Sequence, residues 1–265
     1  LAENFGIIHL TPSSLKDDEA ELVSKTMQKL DLDLAIVADY GLMIPDPLIY
    51  IPDKNILNIH FSDLPKYRGA SPVQYTILQG DNHAHYTFLE LEPQAEPKMD
   101  SGDIIHQGSI ELRGDETTEL LYLKLFELAA EDVKDVVIKY LNDEITPRQQ
   151  DHSQATFTTP SGKFDRTTLI KKDDAFINHE MKADEIERAT RAFTPWPIAW
   201  TTLGELQKLM SNQGEQLTIR GGKDTGTKIQ LHQAHVENNK LKVNVVQAEG
   251  KKAAPWKEFK NGWFE

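Results

Sequence analysis

The sequence predicts an α/β body built on a parallel sheet, followed by a small antiparallel β-barrel. Three observations carry this. In the first 142 residues short apolar runs alternate with helix-like segments, the spacing of βαβ units. After Asn142 the composition turns polar and proline-containing, which marks a connector. From Glu215 on, short alternating segments are set apart by Gly, Asn and Asp, a pattern that suits a small barrel.

Taken in order, "FGIIHL" (5–10) predicts a short strand, and "SSLKDDEAELVSKTMQKL" a helix capped by Ser14, with acidic residues in its first turns. "LDLAIVADYG" predicts a buried strand that ends in a Gly turn followed by Pro45 and Pro47, and "NILNIHF" the next strand. "VQYTILQG" reads as a helix ending at Gly80, "HYTFLELEP" as a strand, and "DIIHQGSIEL" as a strand pair or bend. The segment from Asp115 is the clearest helix, capped by Thr117 or Thr118, with Leu121, Leu125, Leu128 and Val136 at helical spacing. "DEITPRQQDHSQATFTTPSGKFDR" reads as an extended connector, followed by a short helix with Ile186 and Ala189 on one face and then by "TPWPIAW". "EQLTIR", "TKIQLHQAHV" and "KLKVNVVQA" supply the barrel strands.

Hydrophobic content of 39% and charged content of 27% belong to an ordinary soluble protein. No apolar run approaches the roughly 18–20 residues of a membrane span, so no membrane partner is expected. "LAENFGIIHL" lacks the basic and apolar regions of a signal peptide. The absence of cysteine excludes disulfides, thiolate nucleophiles and Cys-based metal sites, and fits a cytoplasmic chain. The net charge of −13 is unevenly spread. From residue 195 onward ten Lys and Arg face seven Asp and Glu, a balance of +3, against −16 for the preceding 194 residues. That asymmetry points to two bodies with different partners, although a slightly basic surface needs no partner at all.

One constellation carries chemistry. "ILNIHFSDLPKYRG" (56–69) ends an apolar strand with Asn58 and His60, which at i and i+2 project to the same side. In a parallel α/β sheet the carboxyl ends of strands face the ligand crevice. An amide can donate to a developing oxyanion, and an imidazole moves protons near neutral pH. Asp100, in "KMDSGDII", supplies the group that would orient the ring. A strand His is more often structural than catalytic, so the residues by themselves leave both readings open.

The stretch "LNIHFSDLPKYRGASPVQYTILQGD" with the later "MDSGDII" resembles the 10-formyltetrahydrofolate-dependent formyltransferases, and among them the branch that acts on methionyl-tRNA. The resemblance continues through "ATFTTPSGKFDR", "ADEIERATRAFTPWPIAW" and "VVQAEGKK" and so covers most of the chain. It implies a partial Rossmann-like formyltransferase domain over 1–150, a connector over 151–180 and an OB-like tRNA-binding domain over 181–265. It further implies transfer of the formyl group of 10-formyltetrahydrofolate to the α-amine of methionyl initiator tRNA for translation initiation. Asn58, His60 and Asp100 are then the catalytic set, with no covalent enzyme intermediate and no metal; His83 and His85 are too isolated to argue for one.

Ser62, Asp63, Leu64 and Pro65 match the family's folate-contacting turn. Tyr40 and Gly41 either line the pterin pocket or simply form a turn. Arg68 reads a carboxylate or a phosphate, the latter as a tRNA contact, or equally forms a salt bridge at the start of the next helix. Lys251 and Lys252 contact tRNA phosphate or are merely solvated. The resemblance implies a monomer whose partners are the folate cosubstrate and initiator tRNA. Two other readings compete: an N-formyltransferase for a sugar-nucleotide amine, and a catalytically impaired fragment that only binds RNA.

The chain departs from the family's pattern in three places. Asp63 stands where the family usually has Leu. Ala84 and His85 replace a Thr-Gly, with extra residues in "ELEPQAEPKMD" before Asp100. The chain also starts without Met, lacking the family's first Gly-Thr-Pro turn and its basic inserted loop, so an amino-terminally truncated domain of reduced stability is expected, with an exposed apolar edge.

Overall fold

The structure, a computed structural model, describes residues 3–93, 99–158 and 169–265. A 3-10 turn at Glu3–Phe5 precedes α1 (Asp17–Leu30). The expected strand at 5–10 does not form: Phe5, Ile7 and Ile8 are 72%, 59% and 66% exposed, and among the described residues the segment pairs with no strand. Helix α1 starts two residues later than Ser14 would cap it. Lys16 is the cap residue, and Glu19 reaches back to accept from the Ser13 and Ser14 backbone N–H groups at 2.6 and 3.2 Å. Asp17, Asp18 and Glu19 in the first turn and Lys29 in the last complement the helix dipole.

The first sheet has the order β1 (Ala35–Ala38), β2 (Ile56–His60), β3 (His83–Glu90), β4 (Ile104–Glu111). Strands β1 and β2 are parallel, with Ala38 opposite Ile59, whereas β2 and β3 are antiparallel, with His60 opposite Thr87. The sheet is therefore mixed, which corrects the parallel sheet expected from the alternating pattern. The reason lies in α3 (Pro72–Gln79), whose eight residues end at Gly80 in the left-handed conformation (φ 74°) and return the chain in the opposite sense. Helix α2 (Asp46–Ile49) lies between β1 and β2 in sequence and buries Leu48 and Ile49. Strand β1 is not the buried strand expected: it stands at the edge of the order and alternates half-buried and exposed residues, with Ile36 42% exposed.

Residues 104–111 form one continuous strand, β4, rather than a strand pair. Helix α4 (Thr118–Leu141) follows, with Thr117 Oγ1 accepting from Leu120 N–H at 3.4 Å, and buries Leu121, Leu125, Ala129 and Val136. Among the described residues no helix is long and apolar enough to cross a membrane.

The carboxyl-terminal part comprises α5 (Ala183–Ala192), β5 (Trp200–Thr202), α6 (Leu203–Asn212), β6 (Lys228–Glu237), β7 (Lys240–Ala248), β8 (Ala254–Pro255) and α7 (Trp256–Trp263). Strands β5 to β8 form an antiparallel sheet in chain order, with a bulge in β6 near Gln233. Ile186 and Ala189 of α5, Leu203, Leu206, Leu209 and Met210 of α6, and Ile229, Leu231 and Val246 of the sheet make one apolar core. Each of the Leu, Ile, Val and Met side chains, fully buried, contributes about 1.5–3 kcal/mol. "EQLTIR" is not a strand; its Ile219 makes only an isolated bridge to Phe264. The strands form a sheet in which closure into a barrel is not seen.

The chain divides into two compact units that interleave along the sequence: Leu1–Gly69, His85–Ser109 and Glu127–Phe164 make one; Ala70–Ala84, Ile110–Phe126 and Asp165–Glu265 make the other. Residues 159–168 of the expected connector, and 94–98 of the lengthened stretch before Asp100, lie outside the described residues.

Candidate active site

Strand β2 builds the site by alternation. Ile56 and Leu57 are buried, Leu57 completely, and Ile59 is packed into the sheet's interior. Asn58 and His60 project together on one side of the strand at its carboxyl end. Asn58 is half-buried, and among the described residues nothing hydrogen-bonds its amide. His60 is 7% exposed.

Two loops hold the imidazole. Its Nε2 lies 3.0 Å from the Tyr67 carbonyl, so this nitrogen carries a proton and donates it. That contact leaves Nδ1 as the basic atom of a neutral ring, and Nδ1 faces Asp100 Oδ2 at 3.7 Å. The distance is an ion-pair separation. Asp100 Oδ2 is itself pinned by the Gly69 N–H at 2.7 Å. Tyr67 (φ 56°), Gly69 (φ 114°) and Asp100 (φ 50°) all sit at positive φ, so the two loops meet in tight, unusual backbone.

Gly102 is required where the second loop approaches β3, since a Cβ there would stand 1.9 Å from the Glu90 carbonyl oxygen. Asn58, His60 and Asp100, singled out from the sequence, are thus brought to one strand end.

The turn after β2 is internally tied. Ser62 is 1% exposed and its hydroxyl donates to the Lys66 carbonyl at 2.6 Å, while its own carbonyl accepts from Thr87 Oγ1 at 2.7 Å. Leu64 packs with Leu89 and Ile104. Gln107 Nε2 donates to the Leu64 carbonyl at 3.2 Å and to Thr87 Oγ1 at 3.1 Å. The side chains of Ser62 and Leu64 therefore shape the turn from inside, and Pro65 closes it through a cis peptide bond. Asp63 points outward, 3.7 Å from Lys66 Nζ and 3.8 Å from His85 Nδ1. Tyr40, 44% exposed, and Gly41, with open space where a Cβ would be, lie just past the end of β1, the parallel neighbour of β2.

Arg68 is not on a surface that could meet nucleic acid. It is 2% exposed, and its Nη2 donates to Gln150 Oε1 at 2.5 Å and to His152 Nδ1 at 2.9 Å. Burial pushes its pKa down, against the pull of Asp100 and Glu92. The guanidinium ties its loop to the segment after α4 through the side chains of Gln150 and His152, and tRNA phosphate is out of its reach in this structure. Lys251 and Lys252, by contrast, are exposed in the turn after β7. The contributions of Tyr67, Gly69 and Gln150 were missed in the sequence, because two act through backbone atoms and Gln150 lies in a polar stretch with no pattern of its own.

Comparison with known proteins gives this geometry its family. The formyl transferase model matches residues 4–137, and the model of the formyl transferase carboxyl-terminal domain matches 169–263. The chain is 38% identical over 207 residues to the methionyl-tRNA formyltransferase of Chloroflexus aggregans, covering 78% of this chain and 62% of that one. It is 30% identical to that of Marinobacter nauticus, covering 99% and 80%. The chain spans 62% of the length of the Chloroflexus relative, and 64% and 55% of the methionyl-tRNA formyltransferases of Methylococcus capsulatus and Pseudoalteromonas translucida, less than two thirds in each case.

Among solved structures, methionyl-tRNA formyltransferase from Clostridium thermocellum aligns with a TM-score of 0.59 at 18% identity, covering 88% of this chain and 84% of that one. HypX from Aquifex aeolicus in complex with tetrahydrofolic acid aligns with a TM-score of 0.58 at 13% identity, covering 90% and 40%. These two show the shared fold. Matched by the family's own model over half its length and by relatives above 30% identity, the chain belongs to the formyl transferase family.

Proposed function

We propose that the chain transfers the formyl group of 10-formyltetrahydrofolate to the α-amine of methionyl initiator tRNA, the step that prepares it for translation initiation. The observation that carries this reading is the meeting of Asn58, His60 and Asp100 at the end of β2, with His60 Nδ1 facing the Asp100 carboxylate. The names of the matched relatives support the acceptor. The folate-bound neighbour supports a folate donor.

In the reaction the amine nitrogen attacks the formyl carbon and a tetrahedral adduct forms. Asn58, with an amide free of other partners among the described residues, donates to the oxyanion. His60, protonated at Nδ1 and held at Nε2 by Tyr67, adds a positive charge beside it. Asp100 stabilises that imidazolium and takes the proton the amine loses, directly or through water. As the adduct collapses, the bond from carbon to the folate nitrogen breaks and that nitrogen receives the proton. Tetrahydrofolate and the formylated amine leave, and the enzyme returns to its first protonation state.

The folate would lie along the turn Ser62–Pro65 and past Tyr40 and Gly41, at the same end of the sheet. Within this reading the chain keeps a formyltransferase domain over 1–150, a connector over 151–180 and an OB-like domain over 181–265. The last of these, whose region from 195 carries the +3 balance, engages tRNA with Lys251 and Lys252. The protein works as a cytoplasmic monomer.

The test offers 10-formyltetrahydrofolate with two acceptors in parallel, methionyl initiator tRNA and an amino-sugar nucleotide. Formylated methionyl-tRNA alone supports the reading. Formylation of the sugar alone replaces it with the sugar-nucleotide activity. RNA binding with no transfer to either acceptor would leave only the binding role.

A further inference from the structure

We propose that Gln150 is the positioning residue that sets Asp100 against His60, a role that rests on the formyl-transfer reading of the same site. Gln150 is 4% exposed and comes from the segment after α4, outside both active-site loops. Its Nε2 donates to the Asp100 carbonyl at 2.9 Å and to the Gly102 carbonyl at 2.7 Å, so both amide hydrogens clamp the turn that carries the catalytic carboxylate. Its Oε1 accepts from Arg68 Nη2 at 2.5 Å.

Arg68 stands between the two backbone groups that hold the site: the Tyr67 carbonyl on His60 and the Gly69 N–H on Asp100. One amide side chain thereby joins the loop that holds both groups through its backbone to the loop that carries the carboxylate. A buried primary amide is suited to this, because it offers two donors and an acceptor without charge. A buried group with all three bonds made is costly to replace, since each partner left behind stays desolvated.

Two variants separate positioning from mere satisfaction of Arg68. Q150M keeps the length and loses every bond. Q150E keeps an acceptor for Arg68 and turns two donations into repulsion between carboxylate and carbonyl oxygens. If Gln150 positions Asp100, both variants lose turnover by about 10- to 100-fold while KM for folate and for tRNA changes little. Wild-type turnover in Q150E would overturn the proposal, because the bond to Arg68 alone would then suffice.

A second readout does not depend on activity. The Gly69 amide proton donates to the Asp100 carboxylate, so its NMR shift follows the ionisation of Asp100. That titration step is expected to shrink in Q150E and Q150M, and an unchanged step in the folded variants would overturn the proposal. If the wild-type protein itself transfers no formyl, the functional reading fails, and the Gly69 titration still decides the role of Gln150. Should neither variant fold, the wild-type protein decides alone: its Gln150 side-chain amide protons are expected to exchange slowly with solvent, and fast exchange would refute the clamp.

Discussion

Replacing Gly102 with alanine is expected to disable the site through geometry alone. A Cβ at this position would stand 1.9 Å from the Glu90 carbonyl oxygen and 2.9 Å from its carbon, where ordinary contact begins near 3.4 Å. The obstacle is backbone on a strand whose Phe88 and Leu89 are 0% and 1% exposed, so it cannot turn away as a side chain would. The loop must therefore retreat by about 1.5 Å, the gap between 1.9 and 3.4 Å.

Three hydrogen bonds are at stake: Glu90 N–H to the Asp103 carbonyl at 2.9 Å, and the two donations of Gln150 at 2.9 and 2.7 Å. At about 1 kcal/mol each they put the loss of stability at about 2–4 kcal/mol. A displacement of roughly 1 Å at a reacting group costs on the order of 100-fold in rate. Urea unfolding reads the first number and formyl transfer at saturating substrates reads the second. A G102A protein whose urea midpoint and turnover both match wild type would refute the argument that this loop is held rigidly.

Asn58→Ala is expected to lower turnover by about 10²–10³, as loss of one oxyanion donor does elsewhere, with a wild-type melting curve. Asp132→Asn weakens the cluster in which the Tyr86 hydroxyl and His106 Nε2 both meet Asp132 Oδ2, so a loss of about 1–2 kcal/mol in urea unfolding is expected. Glu205 is held at a pKa of about 2, chiefly by the hydrogen bond from His179 and then by that from Lys208. Its folded pKa is depressed, so its stabilisation is present above the ordinary carboxylate range and disappears as pH falls through that range to about 2. The stability gap between wild type and E205Q should therefore be clear at pH 6 and vanish at the acid end, as acid and urea titrations would measure. Replacing Lys251 and Lys252 together with Gln should weaken tRNA binding and flatten its salt slope by about 1.5 to 2, with folate affinity unchanged.

The shared side of Asn58 and His60 was legible because strand alternation is a local property. Two apolar neighbours at 57 and 59 force Asn58 and His60 to the opposite side, whatever the rest of the chain does. The two clearest helices were legible for the same reason, with Leu121 and Leu125, then Ile186 and Ala189, repeating at helical spacing and buried where expected.

Strand direction was not legible. The pattern at β3 reads the same parallel or antiparallel, and only the short return through α3 and Gly80 decides it. The apolar run at 5–10 predicts a strand by composition, yet a strand needs a partner, and none pairs with it among the described residues. Arg68 illustrates a third limit. An arginine in a loop reads as a ligand contact, and its burial depends on Gln150 and His152, more than 80 positions away. The backbone clamps on His60 and Asp100 were invisible for a related reason, since the Tyr67 carbonyl that holds His60 and the Gly69 N–H that holds Asp100 are groups that nearly any residue carries.

The most direct test of the account is the single-turnover rate of formyl transfer from 10-formyltetrahydrofolate to methionyl initiator tRNA, in wild type and in His60→Ala. The account predicts transfer by the wild-type chain and a loss of about 10²–10⁴ in the variant, with the fold intact by circular dichroism. Transfer at the wild-type rate by the variant would contradict the claim that the charge of this imidazolium stabilises the oxyanion.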